Sequence, residues 1–310
     1  MMTTDRFEHV PVMLDEIVAA MADIPSGFIL DATLGGGGHA RALLDADERH
    51  CILGIDRDPA ALSAASARLD GYGDRFRATH RRFDFVDAAM ADAGVEQLSG
   101  ALFDLGVSSH QFDTAERGFS YRCDAPLDMR MNPADEFSAA DLVNHGDEVE
   151  LARVLRDYAD ERFAGRIARA IVAARPVSST VELADIVAAA IPAPARRRGG
   201  HPAKRTFQAL RIAVNGELDV LPVALDRAID RTVKGGRIAV LSYHSGEDRI
   251  VKERFRRHST GGCQCPVGLP CVCGAVPTVR LVRAASKPSD AECRTNPRSA
   301  SARLRVAEVI

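Results

Sequence analysis

Three apolar runs in this chain close on an aspartate: Phe28-Ile29-Leu30-Asp31, Cys51-Ile52-Leu53-Gly54-Ile55-Asp56 and Gly100-Ala101-Leu102-Phe103-Asp104. The first breaks at once into Gly35-Gly36-Gly37-Gly38-His39 and then takes on a helical pattern. Apolar strand, tight glycine loop and helix start, in that order, leave few folds open. A glycine loop lets a ligand approach bare backbone, because no Cβ stands in the way. The helix behind it offers N–H groups that have no partner within the helix.

The rhythm continues on both sides. Leu14, Ile17, Val18 and Met21 fall at helical spacing and predict a helix within 12–24. Helices are expected over 39–46, from the cap Asp58 and Pro59 to Leu69, and over 86–93. Between them lie strands at 51–56, 76–83 and 100–106. Near-continuous apolar strands alternating with helices predict a parallel, doubly wound α/β sheet. Ligands of such sheets sit outside the carboxyl ends of the strands. Asp31, Asp56 and Asp104 fall there, and so does Phe83 if the third strand runs that far.

One acid after a strand is an ordinary loop or cap residue. Three at equivalent positions around a glycine loop favour a nucleoside ligand. Asp56 lies about 20 residues past the first glycine, where an acid reaches a ribose hydroxyl pair. Gly35-x-Gly37-x-x-Ala40 also satisfies the dinucleotide fingerprint, so the loop alone leaves NAD open. Asp31 favours S-adenosylmethionine instead, because a carboxylate there suits an ammonium-bearing tail better than a pyrophosphate. The loop also has no Lys or Arg before Arg41 to meet phosphates.

At 310 residues the chain has room for one large domain or two smaller ones. Its formal net charge of -3 argues against a uniformly basic coat for nucleic acid but allows a local basic patch. No signal-peptide core and no apolar run of membrane length stand in the sequence, which predicts a soluble, cytoplasmic protein with no membrane partner.

From Ser108 the strand–helix rhythm stops. A long mixed loop leads past Phe112, Phe119, Tyr121 and Asp128, and helices are expected over 138–144, 148–158, 162–174 and 180–191. Residues 112–205 read as a helical domain inserted into a core made of 1–111 and 206–310. Near its return, Arg196, Arg197, Arg198, Lys204, Arg205 and Arg211 occur with no acid between them. Such a segment suits RNA phosphates, which position RNA without reading its sequence. A solvated linker is the plainer alternative. Arg162, Arg166 and Arg169 add charge on one helix face, which ordinary surface charge explains almost as well. After helices over 208–215 and 218–233, Gly235-Gly236 breaks the chain. Strands follow over 237–244, 279–284 and 302–309, with a helix over 247–258.

An ordered set of motifs now resembles the RsmH (MraW) family of S-adenosylmethionine-dependent methyltransferases of small-subunit ribosomal RNA. It runs from His9-Val10-Pro11-Val12-Met13-Leu14-Asp15-Glu16 through Asp31 to His39, Gly54-Ile55-Asp56-Arg57-Asp58 and Asp104-Leu105-Gly106-Val107-Ser108-Ser109. It continues in Glu116-Arg117-Gly118-Phe119-Ser120, Pro126-Leu127-Asp128-Met129-Arg130-Met131 and Glu161-Arg162-Phe163-Ala164. It ends in His201-Pro202-Ala203-Lys204-Arg205-Thr206-Phe207-Gln208-Ala209-Leu210-Arg211 and Ser242-Tyr243-His244-Ser245. The resemblance implies a Rossmann-like seven-stranded methyltransferase sheet with an inserted helical substrate-recognition domain. It implies N4-methylation of a cytidine in the decoding region of 16S rRNA, within the small ribosomal subunit. Carried over by position, the cofactor contacts are Gly37, Gly38, His39, Asp56, Phe83, Asp104 and Gln111. A NAD-dependent oxidoreductase and a non-catalytic RNA-binding assembly factor are the rival readings.

The chemistry asks for an acceptor beside a poorly nucleophilic amine. Amino-methyltransferases commonly carry an Asp/Asn/Ser-Pro-Pro-aromatic motif after the fourth strand, where this chain has Asp104-Leu105-Gly106-Val107. Asp104 is therefore a candidate for the amine or for the cofactor, with Asp113, Asp128 and His244 as further acceptors. Phe112, Phe119, Tyr121 and Tyr243 are the candidate platforms for a flipped base, and Phe119 serves equally as a core plug. Late in the chain, Cys263, Cys265, Cys271 and Cys273 offer the donors of an all-cysteine structural zinc site. Their single-residue spacing is shorter than structural zinc pairs usually show, and loop-stabilising or reversible thiols are the alternative.

Overall fold

The computed structural model describes residues 11–196, 200–266 and 272–310. His9, Val10, Arg197, Arg198 and Cys271 therefore lie outside the described residues. The chain divides into two compact units, Met1–Gly106 with Val220–Ile310, and Val107–Asp219.

The first unit is built on a seven-stranded sheet. Its strands are β1 (Gly27–Asp31), β2 (His50–Asp56), β3 (Phe76–His80), β4 (Leu98–Asp104), β5 (Thr232–Ser242), β6 (Val279–Val282) and β7 (Arg303–Val309), in the order β3-β2-β1-β4-β5-β7-β6. The first five run parallel to one another, and β7 enters antiparallel between β5 and β6. A short helix, Asp290–Thr295, and a turn lie between β6 and β7.

Successive strand residues feed opposite layers, as a period of two requires. Leu30, Leu53, Phe103 and Val240 pack with Val86, Met90, Leu225 and Phe255 on one side. Ile29, Ile52, Leu102 and Leu241 pack with Ile17, Met21, Leu43 and Leu69 on the other. Both faces are covered over the middle of the sheet, so β1, β2 and β4 are nearly continuous apolar runs rather than alternating.

Two strand boundaries differ from the sequence reading. β3 stops at His80, short of Phe83, because His80-Arg81-Arg82 is a polar run that turns out of the sheet. β5 starts at Thr232, and Gly235-Gly236 lies inside it. The register against β4 slips there, from Leu98–Thr232 to Gly100–Arg237. A Cβ on Gly236 would fall 2.4 Å from the Ser99 carbonyl oxygen, so these glycines permit a bulge instead of ending an element.

The second unit is helical. Helices Ala139–His145, Glu148–Ala159, Ala164–Ala173, Thr180–Ala190 and Lys204–Asn215 surround Leu142, Leu151, Leu155, Ile167, Ile171 and Leu183. Phe207, Ala209 and Leu210 join that core, which carries this unit past residue 205. The stretch after Ser108, read as loop, opens with the short helix Ser109–Asp113. Among the described residues no helix is long and apolar enough to cross a membrane.

Candidate functional site

The glycine loop is fixed from three sides. Leu34 donates its N–H to the Ile55 carbonyl (3.0 Å), and Gly37 donates back to the Leu34 carbonyl (2.8 Å). Gly54 makes room for the Leu34 side chain, since a Cβ there would come within 2.7 Å of it. Gly37 has a φ of 73°, in the left-handed region, and packs against Ala65 and Leu69. It has to be glycine for both reasons. A Cβ on Gly36, by contrast, would meet nothing within 4 Å.

The three strand-end acids surround this loop in different ways. Asp56 accepts from the Gly35 N–H at 2.8 Å and from the Asp58 N–H at 2.9 Å. It therefore holds the loop to the end of β2. Burial nonetheless moves its carboxyl upwards. Asp31 is 1% exposed. Burial, opposed by the Thr33 N–H and reinforced by the charges of Asp104 and Asp56, pushes its carboxyl up to about 7. Asp104 keeps a 24% exposed side chain, and its N–H donates to Thr33 Oγ1 at 2.6 Å.

Asp104 is also held through its carboxylate. The Tyr243 hydroxyl donates to Oδ1 at 2.6 Å, and His39 Nδ1 lies 3.6 Å from Oδ2. His39 Nε2 is 3.0 Å from the Val12 carbonyl. A carbonyl only accepts, so Nε2 carries a proton. Both ring nitrogens of this buried histidine thus face protein groups. Burial, followed by the charge of Asp104, holds the Tyr243 phenol far above its ordinary pKa. Glu247 accepts from the N–H groups of Tyr243 (2.7 Å) and His244 (3.2 Å) and locks the turn after β5.

Gly37, Gly38, His39, Asp56, Phe83 and Asp104 all lie in the first unit, at or beyond the carboxyl ends of β1 to β4. Phe83 sits half-buried, edge-on to Phe103 at 6.1 Å. Gln111 belongs to the second unit, where it is 3% exposed. There it completes a capping box with Ser108, accepting from the Ser108 N–H at 3.1 Å.

Several candidates from the sequence have structural roles instead. Asp128 is bound by Arg130 through two bonds of 2.7 and 2.8 Å. Burial raises its carboxyl, but the Arg130 bonds outweigh that and hold it below the usual range. It is an ion-pair partner, not a free base. His244 is the N-cap of helix Ser245–Ser259. Phe119 is a core residue of the second unit. Tyr121 stacks on His201 at 4.2 Å and meets Phe207 edge-on. Tyr243, a candidate base platform, has its hydroxyl committed to Asp104.

Of the basic segment, Arg196, Lys204 and Arg205 are exposed, and Arg205 donates to the Asp160 carbonyl at 3.0 Å. Arg211 is committed to Glu217 through two bonds of 2.8 Å. In the first unit, the sulfurs of Cys263, Cys265 and Cys273 lie within 4.8 Å of one another.

A sheet of this order, with a glycine loop ringed by strand-end carboxylates, defines a Rossmann-like methyltransferase core. The profile of the MraW methylase family matches residues 6–310. The ribosomal RNA small subunit methyltransferase H of Heliobacterium modesticaldum is 51% identical over 313 residues, covering 98% of this chain and 99% of that protein. The protein of the same name from Geobacter sulfurreducens is 50% identical over 310 residues, covering 97% and 99%. Among solved structures, an rRNA methylase from Streptococcus thermophilus aligns with a TM-score of 0.41 at 12% identity, over 96% of this chain and 93% of that one. The chain belongs to the MraW methylase family.

Proposed function

We propose that this chain transfers the methyl group of S-adenosylmethionine to small-subunit ribosomal RNA, at the N4 amine of a cytidine in the decoding region, in the cytoplasm. Relatives about half identical along nearly their whole length carry the rRNA methyltransferase name. The cofactor half is carried by Asp31, whose carboxyl is raised first by burial and then by the charges of Asp104 and Asp56 beside it. A site with that surplus of negative charge suits a cation and repels a pyrophosphate, so it favours S-adenosylmethionine over NAD.

S-adenosylmethionine supplies an electrophilic methyl group on a sulfonium. The chain supplies position. The backbone of Gly37, Gly38 and His39 meets the cofactor, and Asp56 takes the ribose hydroxyls while it braces the loop. Phe83 offers an apolar face to the adenine, Asp31 faces the ammonium, and the family resemblance adds Gln111. The cytosine amine is conjugated into its ring and is a weak nucleophile, so alignment dominates the rate. Asp104, held by Tyr243, orients the amine or the cofactor and can take up the departing proton. The target base leaves its stack to reach the methyl group, while the exposed Arg196, Lys204 and Arg205 of the helical unit, and Arg197 and Arg198 between them in sequence, hold RNA phosphates.

Nucleoside mass spectrometry of RNA methylated in vitro tests the chemistry. N4-methylcytidine at one decoding-region position is expected, and a methyl group on carbon or ribose oxygen contradicts the N4 assignment. Binding to subunits without any transfer would favour the assembly-factor reading. None of this depends on the cysteine trio, where a structural zinc is a separate proposal.

A further inference from the structure

Between helix Ser245–Ser259 and β6 the chain makes an excursion over 260–278. Among its described residues none is buried, and Val272 and Val276 are 90% and 73% exposed. The ends are fastened. Gly262 donates to the Arg257 carbonyl at 2.8 Å, Thr278 donates to the His258 carbonyl at 2.9 Å, and His258 Nδ1 lies 2.8 Å from Thr278 Oγ1. Ordering backbone costs about 1–2 kcal/mol per residue, and no buried apolar side chain among the described residues of this stretch offsets it.

Three sulfurs converge in this stretch nevertheless. Cys263, Cys265 and Cys273 bring their Sγ atoms within 4.8 Å of one another, and none is in a disulfide. The Cys265 N–H donates to Cys263 Sγ at 3.4 Å, a contact that favours thiolate over thiol. Zinc thiolate bonds of about 2.3 Å place sulfurs about 3.8 Å apart on a tetrahedron. The observed spacing needs only a small contraction to meet that.

We propose that Cys263, Cys265 and Cys273 bind a zinc ion as thiolates and that the ion orders the 260–278 excursion. Each thiol releases its proton to solvent as its sulfur–zinc bond forms, so binding is tighter at higher pH. Three sulfurs leave one tetrahedral position for a further donor. The single residue between Cys263 and Cys265 is short for a structural pair, yet it brings both sulfurs to Cys273. The coordination supplies what buried apolar packing does not supply among the described residues: a fixed point far along an exposed loop.

Full-length protein purified without chelator, analysed by elemental mass spectrometry, tests the proposal. About one zinc per chain is expected, falling below about a tenth in Cys263→Ser and in Cys273→Ser. Far-ultraviolet circular dichroism of both variants should match the parent, since the cluster lies outside the core. Cobalt exchanged for zinc should give thiolate charge-transfer absorption that both variants lose. Chelation should speed proteolysis within 260–278 about tenfold or more. Zinc below about a tenth per chain in the parent, or a disulfide joining two of the three sulfurs, overturns the site. Proteolysis unchanged by chelation overturns the ordering role.

Discussion

The Tyr243 hydroxyl donates to Asp104 Oδ1 at 2.6 Å and so joins the residue after β5 to the acid that ends β4. A bond from a buried phenol to a carboxylate contributes about 1.5–3 kcal/mol. Tyr243→Phe keeps the ring and removes the bond. If Asp104 works through its fixed position, this variant loses about ten- to a hundredfold in kcat/KM. A base-stacking role for the ring predicts nearly full activity instead, so steady-state kinetics of this one variant separates the two.

Asp31 makes cofactor binding depend on pH. Its carboxyl sits at about 7 in the fold, against 3.8 for an ordinary aspartate. Being raised, it binds a proton more tightly in the fold than in the unfolded chain, so the ligand-free protein loses stability as pH rises from about 4 to about 7. A cationic ligand prefers the ionised form. Affinity for S-adenosylmethionine should therefore rise with pH up to about 7, by as much as tenfold per unit, and binding at pH 6 should release a proton. Calorimetry in buffers of different ionisation enthalpy reads that proton. In Asp31→Asn the release should vanish, the stability slope should flatten to what Asp56 and other groups leave, and affinity should fall.

Gly36 and Gly37 separate space kept for a ligand from space required by the fold. Gly37→Ala places a Cβ 3.1 Å from Leu69 in a left-handed backbone, which costs about 1–2 kcal/mol of stability. Gly36→Ala meets no neighbour, so the melting temperature of the ligand-free protein should hold. If the cofactor lies along this backbone, the same substitution weakens S-adenosylhomocysteine binding about tenfold or more. Thermal shift with and without ligand gives both answers.

Lys204 and Arg211 sit in one basic helix but have different partners. No ion pair of Lys204 is seen among the described residues, and its charge is available to RNA. Lys204→Ala should lower the salt dependence of subunit binding by about 0.7–0.9 in log–log slope, with unchanged stability. Arg211→Ala strands Glu217, a side chain 9% exposed, and should cost about 2–3 kcal/mol of stability. Salt-titrated binding and denaturant unfolding, run on both variants, should show opposite patterns.

The middle of the sheet was legible because β1, β2 and β4 are largely buried and written as nearly unbroken apolar runs. The acids at its ends were legible for a related reason: a charge directly after such a run must emerge at the strand's carboxyl end. Gly235-Gly236 misled, since glycine marks a break and a bulge alike, and only the close approach of the Ser99 carbonyl separates the two. Helix Ser109–Asp113 is too short to show a period, although Ser108 and Gln111 spell a capping box. Helix Asp290–Thr295 was missed for the same reason, with Ser289 as its cap. Asp128 and His244 looked like free acceptors because their partners, Arg130 and Glu247, are chosen by local geometry that residue types alone do not specify. Tyr243 was noticed for its ring, and the partner of its hydroxyl, Asp104, was not legible because it is far away in the sequence.

Transfer of labelled methyl from S-adenosylmethionine to small ribosomal subunits that lack the modification tests the central claim most directly. The chain should label the 16S rRNA at a single decoding-region cytidine, and Asp104→Ala should abolish labelling while its circular dichroism stays that of the parent. No transfer to RNA by folded, cofactor-binding protein, or normal turnover and normal cofactor affinity in Asp104→Ala, would contradict the account.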